Sequence, residues 1–364
     1  MKTPETLARG FGPEFEGWIE NFALEQKLLP EPGSLRSNRF LARALIPHIL
    51  KLSSLFNRAQ KGQDEGLQPY WKESSHPAHL RLAYFLYFMP SNLYRVASVW
   101  SELSRLGFRW SSSQFRALEL GAGPASGACG IAAGEHFAPV GLPSEGNWAL
   151  IEQDKAVLNL GASWAETYFS HLGKNSWSIR PFHRKIDPEV GFLPSTAPRF
   201  NLWVMSYYLN EHLSNPEKLA QILTESWNRH LEDEGIVIIV EPALKLQSRR
   251  LLELRRELLR FWEKKKQDQF QILLPCLGHQ SCGALQNPED WCHEEVTWWR
   301  PPYFKKIDQM AELDRKTLPF SYLVLTKSRR PRSAILPALY PTSNPGSPRL
   351  HRLVSPAHSE GKDQ

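Results

Sequence analysis

Cysteine is scarce in this sequence. Only Cys129, Cys276, Cys282 and Cys292 occur in 364 residues, too few and too unevenly spread for a disulfide framework. Long apolar runs are missing as well. None approaches the roughly 18 residues that a membrane-crossing helix needs, so no membrane contact is expected. The N-terminus lacks an apolar signal-peptide core. It carries Glu5, Glu14, Glu16 and Glu20, which argues against a transit peptide, and a cytoplasmic location is expected. Internal repeats are absent too, which excludes a solenoid; a monomer is expected.

What the chain has is a basic balance, +6 at neutral pH with a pI near 9.1. That suits a polyanionic partner such as RNA, and equally a mildly basic enzyme without one. Residues 1–110 read as a helical N-terminal region. Leu41, Leu45, Ile49 and Leu52 recur at helical spacing, and residues 78–106 do likewise until Pro90, where a break and a fresh helix start are expected. From residue 111 the pattern changes. Short apolar runs at 115–120, 148–151, 202–206 and 236–240 alternate with helical stretches, the signature of a mainly parallel sheet covered by helices. This α/β core is expected over 111–245. A basic helix (Lys245, Arg249, Arg250, Arg255, Arg256, Arg260 and Lys264–Lys266 against Glu253, Glu257 and Glu263), a cysteine-containing insertion and a last strand at 321–326 fill 246–327. Residues 328–364, rich in Pro and Arg, read as an irregular tail.

The chemistry concentrates at Leu118-Glu119-Leu120-Gly121-Ala122-Gly123-Pro124-Ala125-Ser126-Gly127. A strand enters and glycines turn the chain, so that a ligand can approach the backbone at Gly121, Ala122, Gly123 and Gly127. A helix is expected to start near Pro124 with its N-terminal amides exposed. Dinucleotide folds use such a turn too, but Glu119 sits where they place an apolar residue. An acid there points to S-adenosylmethionine, whose cationic methionine end it can answer. A second acid is needed at the next strand end, where two carboxylate oxygens accept both ribose hydroxyls. Glu152 stands there, with Asp154 the alternative just beyond. The expected fold is therefore a class I (Rossmann-like) S-adenosylmethionine methyltransferase core. In the following segment, Ser206, Tyr207 and Asn210 are placed to line the methyl-transfer cleft. An Asn-Pro-Pro-Tyr motif is missing, as is the Pro-Cys pair that attack on a cytosine ring requires. No acceptor atom is therefore indicated.

Cys276, Cys282 and Cys292 cluster as Cys-x5-Cys-x9-Cys-His. Thiolates at this density suit an iron–sulfur cluster or zinc, with His279 or His293 as a further zinc ligand. Three unrelated thiols are the alternative.

Leu-Glu-Leu-Gly-Ala-Gly-Pro, then Ser-Tyr-Tyr-Leu-Asn-Glu with Ile-Val-Glu-Pro, then Pro-Cys-x5-Cys with Asp-Trp-Cys-His together resemble one family over residues 80–327. It is the methyltransferase-like small-ribosomal-subunit family. The resemblance implies a class I core, work on small-subunit rRNA during ribosome assembly, and a four-iron (4Fe-4S) cluster held by four cysteines. Cys276, Cys282 and Cys292 match three of these. No cysteine follows Cys292 to match the fourth, and Cys276-Leu277-Gly278-His279 stands where the family reads Cys-Pro-His. Two functions follow as expectations: an rRNA methyltransferase, or a non-catalytic RNA-binding assembly factor that keeps the fold and the cluster.

Overall fold

The computed structural model describes residues 13–58, 77–188, 191–209, 212, 214–276 and 281–340. Its centre is an eight-stranded sheet. The strands are β1 Arg116–Leu120, β2 Gly146–Glu152, β3 Trp177–His183, β4 Phe200–Ser206, β5 Leu231–Pro242, β6 Phe270–Leu274, β7 Glu294–Thr297 and β8 Thr317–Lys327. Their order is β3-β2-β1-β4-β5-β8-β6, with β7 also on β8. The first five run parallel, and β8 turns antiparallel to β5, β6 and β7. This mostly parallel α/β sheet agrees with the class I Rossmann-like methyltransferase fold expected from the sequence.

Strand side chains alternate between the two faces of a sheet, and here each face has its own core. Leu202, Val204, Ile236 and Ile238 join one apolar cluster. Trp203, Met205, Val237 and Ile239, their immediate neighbours in sequence, join the other. Covering both faces are the helices α1 Pro13–Glu25, α2 Ile46–Arg58, α3 Pro77–Ala83, α4 Met89–Arg105, α5 Ser126–Phe137, α6 Lys155–His171, α7 Pro216–His230, α8 Lys245–Lys265 and α9 Pro302–Met310. Leu251, Leu254 and Leu258 of α8 enter the second cluster. Phe15 of α1, Ile49 of α2 and Trp100 of α4 share the first cluster with the sheet, so the N-terminal helices are continuous with the core.

Three local features differ from the sequence expectation. Pro90 does not break the helix. The backbone stays right-handed from α3 through a π-helical turn at Tyr84–Phe88 into α4. Pro90 has no N–H for the carbonyl of Leu86, four residues earlier, and the Tyr303 hydroxyl donates to that carbonyl instead, at 2.8 Å. Strands β3, β6 and β7 carry no clear sequence signal. β3 is an edge strand whose residues are mostly solvent-facing, and it tolerates Pro181 for that reason. Part of the tail is ordered. Arg332–Ile335 forms a helical turn, Leu336 and Leu339 are buried, and the Ala338 amide donates to the Leu106 carbonyl. Residues 341–364 lie outside the described residues.

Candidate functional site: the glycine turn at the end of β1

Leu120 pairs with Ile151 of β2 on one side and Met205 of β4 on the other, so the chain leaving β1 crosses the carboxyl ends of three strands. Gly121 and Gly123 both take left-handed backbone, with φ of +63° and +50°. The two glycines have different surroundings. A Cβ on Gly121 would lie 2.4 Å from Cδ2 of Tyr208, so that side of the turn is filled. A Cβ on Gly123 would meet only Tyr84, at 3.5 Å or more. Room for a ligand is therefore on the Gly123 side. Ala122 is buried, and its amide donates to the Ile151 carbonyl at 3.0 Å.

Glu119 is 1 % exposed. Its Oε1 accepts from the Gly127 amide at 2.7 Å and its Oε2 from the Ala128 amide at 2.8 Å. These are first-turn donors of α5, which starts at Ser126 rather than near Pro124. The amides expected to be open to a ligand are taken by this carboxyl group, which satisfies orphan donors of the helix. Gly127 serves the same contact. A Cβ there would stand 2.6 Å from Glu119 Oε1 and 2.7 Å from Val204 Cγ1, so its glycine makes space for the acid.

Burial pushes the Glu119 carboxyl up to about 8, against the opposing pull of its two amide bonds. A carboxyl raised in the folded state contributes stability that is complete below its unfolded value near 4.5 and is lost as the pH rises through 8. Glu16 and Glu152, also raised by burial, act in the same direction. The unfolding free energy should therefore fall between these limits. Glu119→Gln should lower stability at every pH, because its amide would face the Ala128 N–H, and should flatten the slope. Urea unfolding at pH 5, 6.5 and 8 checks this; parallel slopes for the two proteins would refute it.

Ala125, just before α5, holds φ of +59°. A left-handed alanine is strained where glycine is not, so Ala125→Gly should stabilise the protein by about 1 kcal/mol. An unchanged or lower urea midpoint would count against it.

At the end of β2, Glu152 Oε2 accepts from the Gly123 amide at 3.0 Å, while Oε1 accepts from the Gln153 and Asp154 amides at 2.7 and 2.9 Å. Its carboxyl is raised, first by burial. Asp154 instead caps α6, accepting from the Val157 amide at 2.8 Å. The two acids thus divide, and Glu152 is the one at the turn.

Beyond β4, Ser206 Oγ is buried without a hydrogen-bond partner among the described residues. Tyr207 has φ of +60°, and its amide donates to the Val240 carbonyl at 2.7 Å. Its hydroxyl is raised by burial, so it stays protonated at neutral pH. Asn210 lies outside the described residues. Two residues that sequence reasoning passed over belong here. Glu241, fully buried at the end of β5, accepts from the Leu209 amide at 2.7 Å and fixes the segment after β4. Its signal was the acid closing the apolar run of β5. Arg95 of α4 has its guanidinium 5.6 Å from the centre of the Tyr207 ring. Its signal was an arginine inside the apolar stretch of α4.

The residues present fit S-adenosylmethionine. A Cβ on the left-handed Gly123 would meet nothing nearer than Tyr84 at 3.5 Å, a two-oxygen acid stands beside it, and the buried hydroxyl of Ser206, at the end of the neighbouring β4, has no hydrogen-bond partner among the described residues. Among the described residues the cysteines do not form a metal site. Cys276, Cys282 and Cys292 are half-buried, and Cys276 and Cys292 both lie within electrostatic reach of Tyr322, with Cys282 near Cys276. Among the described residues, however, no group of three or more His, Cys, Asp or Glu side chains is arranged to hold an ion. His279 lies outside the described residues.

The basic face of α8 is smaller than its sequence implies. Arg255 is 2 % exposed, and Arg249 donates to the carbonyls of Ala284, Asn287 and Asp290. Arg256 and Arg260 both pair with Glu257. Lys264, Lys265 and Lys266 remain exposed. No helix among the described residues is long and apolar enough to cross a membrane.

Compared with known proteins, the chain matches the family model described as mitochondrial small ribosomal subunit Rsm22 over residues 79–363. No curated protein matches. Solved structures that resemble it include the plantazolicin methyltransferase BpumL in complex with SAH, at 12% identity and a TM-score of 0.39, over 77% of this chain and 98% of that one. An O-methyltransferase from Bacillus cereus in complex with SAH is 10% identical with a TM-score of 0.31, over 86% and 99%. An arsenic(III) S-adenosylmethionine methyltransferase from Chlamydomonas reinhardtii is 15% identical with a TM-score of 0.31, over 63% and 70%.

Proposed function

The chain belongs to the mitochondrial small ribosomal subunit Rsm22 family, and from that premise we propose that it binds S-adenosylmethionine and acts as a methyltransferase on small-subunit rRNA. The observation that carries the reading is Glu152 at the end of β2, bonded to the amide of the left-handed Gly123, on a turn whose Gly123 side has room for a Cβ. Glu152 would accept the ribose hydroxyls there. Gly123 would let the nucleoside reach the backbone, and Ser206 would lie on the acceptor side. When bound, the cofactor supplies an electrophilic methyl group. The protein's share is then alignment of the acceptor and exclusion of water, with no general base strictly required.

One observation favours a second reading, a non-catalytic RNA-binding assembly factor. Among the described cleft residues after β4, Tyr207 is held protonated, and Ser206 has no partner to activate it. Calorimetry with S-adenosylhomocysteine, followed by transfer of labelled methyl from S-adenosylmethionine to small-subunit rRNA, separates the two. Binding with transfer supports the enzyme. Binding without transfer leaves the assembly factor. No binding at all overturns both the cofactor and the methyltransferase. Nothing in the proposal runs through a metal, because the described residues do not form a site for one.

A further inference from the structure

A buried arginine with only neutral partners is costly to a fold, and an arriving anion relieves that cost. Arg95 is in this position. It is 6 % exposed. Its Nη1 donates to Asn92 Oδ1 at 2.9 Å and its Nε to the Pro319 carbonyl at 3.3 Å. It enters no ion pair among the described residues. Arg315 is a second cation nearby, close enough that its charge and burial both push the Arg95 pKa down. Its guanidinium stands 4.6 Å over the Tyr87 ring and 5.1 Å over the Phe88 ring, again with no ion pair among the described residues. The nearby Asp308 is engaged by Arg300 and the Tyr87 hydroxyl.

The position of this pair is set by Tyr207. That residue follows β4 and presents its ring to Arg95, while the adjacent Tyr208 packs on Gly121. Arg95 thus stands beside the residue preceding Tyr208, and Arg315 connects to the Gly123 side of the turn through Phe88, whose ring stacks on Tyr84. Glu119, the charge that the sequence offered to the cofactor's methionine end, is bound to the Gly127 and Ala128 amides and faces α5.

We propose that Arg95 and Arg315 form the subsite for the carboxylate of the cofactor's methionine end. This rests on the S-adenosylmethionine reading above. Guanidinium groups match a carboxylate in shape and charge. Burial selects the ligand: a group that reaches Arg95 must be a small anion on a slender chain. A terminal amino-acid carboxylate meets that requirement. A phosphodiester, flanked by two sugars, does not.

The test compares S-adenosylmethionine with its decarboxylated analogue, which differs only by the carboxylate, by calorimetry on the full chain. The wild type should prefer S-adenosylmethionine at least about tenfold, as hydrogen bonds to a charged group imply. Arg95→Met should bind the two ligands within about twofold of each other and leave the analogue's affinity nearly unchanged. Arg315→Ala should reduce the preference in part. If Arg95→Met does not fold, Arg315→Ala decides: a reduced preference supports the subsite and an unchanged one overturns it. A wild type that binds both ligands equally overturns the proposal, as does an Arg95→Met protein that loses both ligands alike, which is the mark of a structural role. A wild type that binds neither ligand overturns the cofactor reading on which the proposal rests.

Discussion

A Gly161→Val protein should bind S-adenosylhomocysteine about a hundredfold more weakly than wild type, the equivalent of about 2.7 kcal/mol and within the range that overpacking produces. Gly161 is in α6 and contributes no side chain to the site. Its place is directly behind the turn. A Cβ on it would lie 2.6 Å from the Gly123 carbonyl oxygen and 2.8 Å from the backbone of Pro124. Those atoms are main chain, held by the Gly123 amide's bond to Glu152 and by the Ala125 amide's bond to the Ala122 carbonyl, so they cannot swing aside as a side chain would. The valine has to displace either α6 or the turn. In the first case the melting temperature falls; in the second the cofactor space closes. Calorimetry and thermal melts together distinguish these outcomes. A variant with wild-type affinity and wild-type melting temperature would show that the turn is not clamped from behind.

Asp308→Ala should destabilise the protein by about 3–5 kcal/mol, the cost of breaking one side of a buried ion pair. Asp308 is 2 % exposed. Its Oδ1 accepts from the Tyr87 hydroxyl at 2.6 Å, and its Oδ2 accepts from Arg300 Nη1 at 2.8 Å and from the Arg315 amide at 3.4 Å. The carboxylate thereby ties α9 to the π-helical turn that precedes α4 and to the segment leading into β8. Its removal strands a buried hydroxyl and a guanidinium that is only 17 % exposed. Tyr87→Phe removes a single hydrogen bond and should cost about 1 kcal/mol. Urea unfolding measures both. Losses of similar size for the two variants would mean that Arg300 is solvated rather than paired. The network also orients Arg315, so Asp308→Ala should weaken any preference for a carboxylate-bearing ligand.

The parallel core was legible because its signals are local. Leu202–Met205 and Ile236–Val240 are apolar on both faces, which only a strand covered from both sides requires. The turn was legible for a related reason: glycines after a strand, with acids two residues before and at the next strand end, are a pattern along the chain. The edge strands were not legible. β3 buries little, so its composition carries no alternation to read. Pro90 misled for a physical reason. The helix continues through it, and the carbonyl four residues earlier accepts from Tyr303, more than 200 residues away.

The sequence by itself determined the sheet's core strands, the glycine turn and Glu152 as the acid beside it, because each follows from near neighbours along the chain. Tertiary structure alone decided the roles of the charges. It turned Glu119 inward onto α5, assigned Asp154 to a helix cap, buried Arg255, and set Arg95 against Tyr207. A charge acts through what surrounds it within a few ångströms, and those surroundings come from residues far apart in the chain.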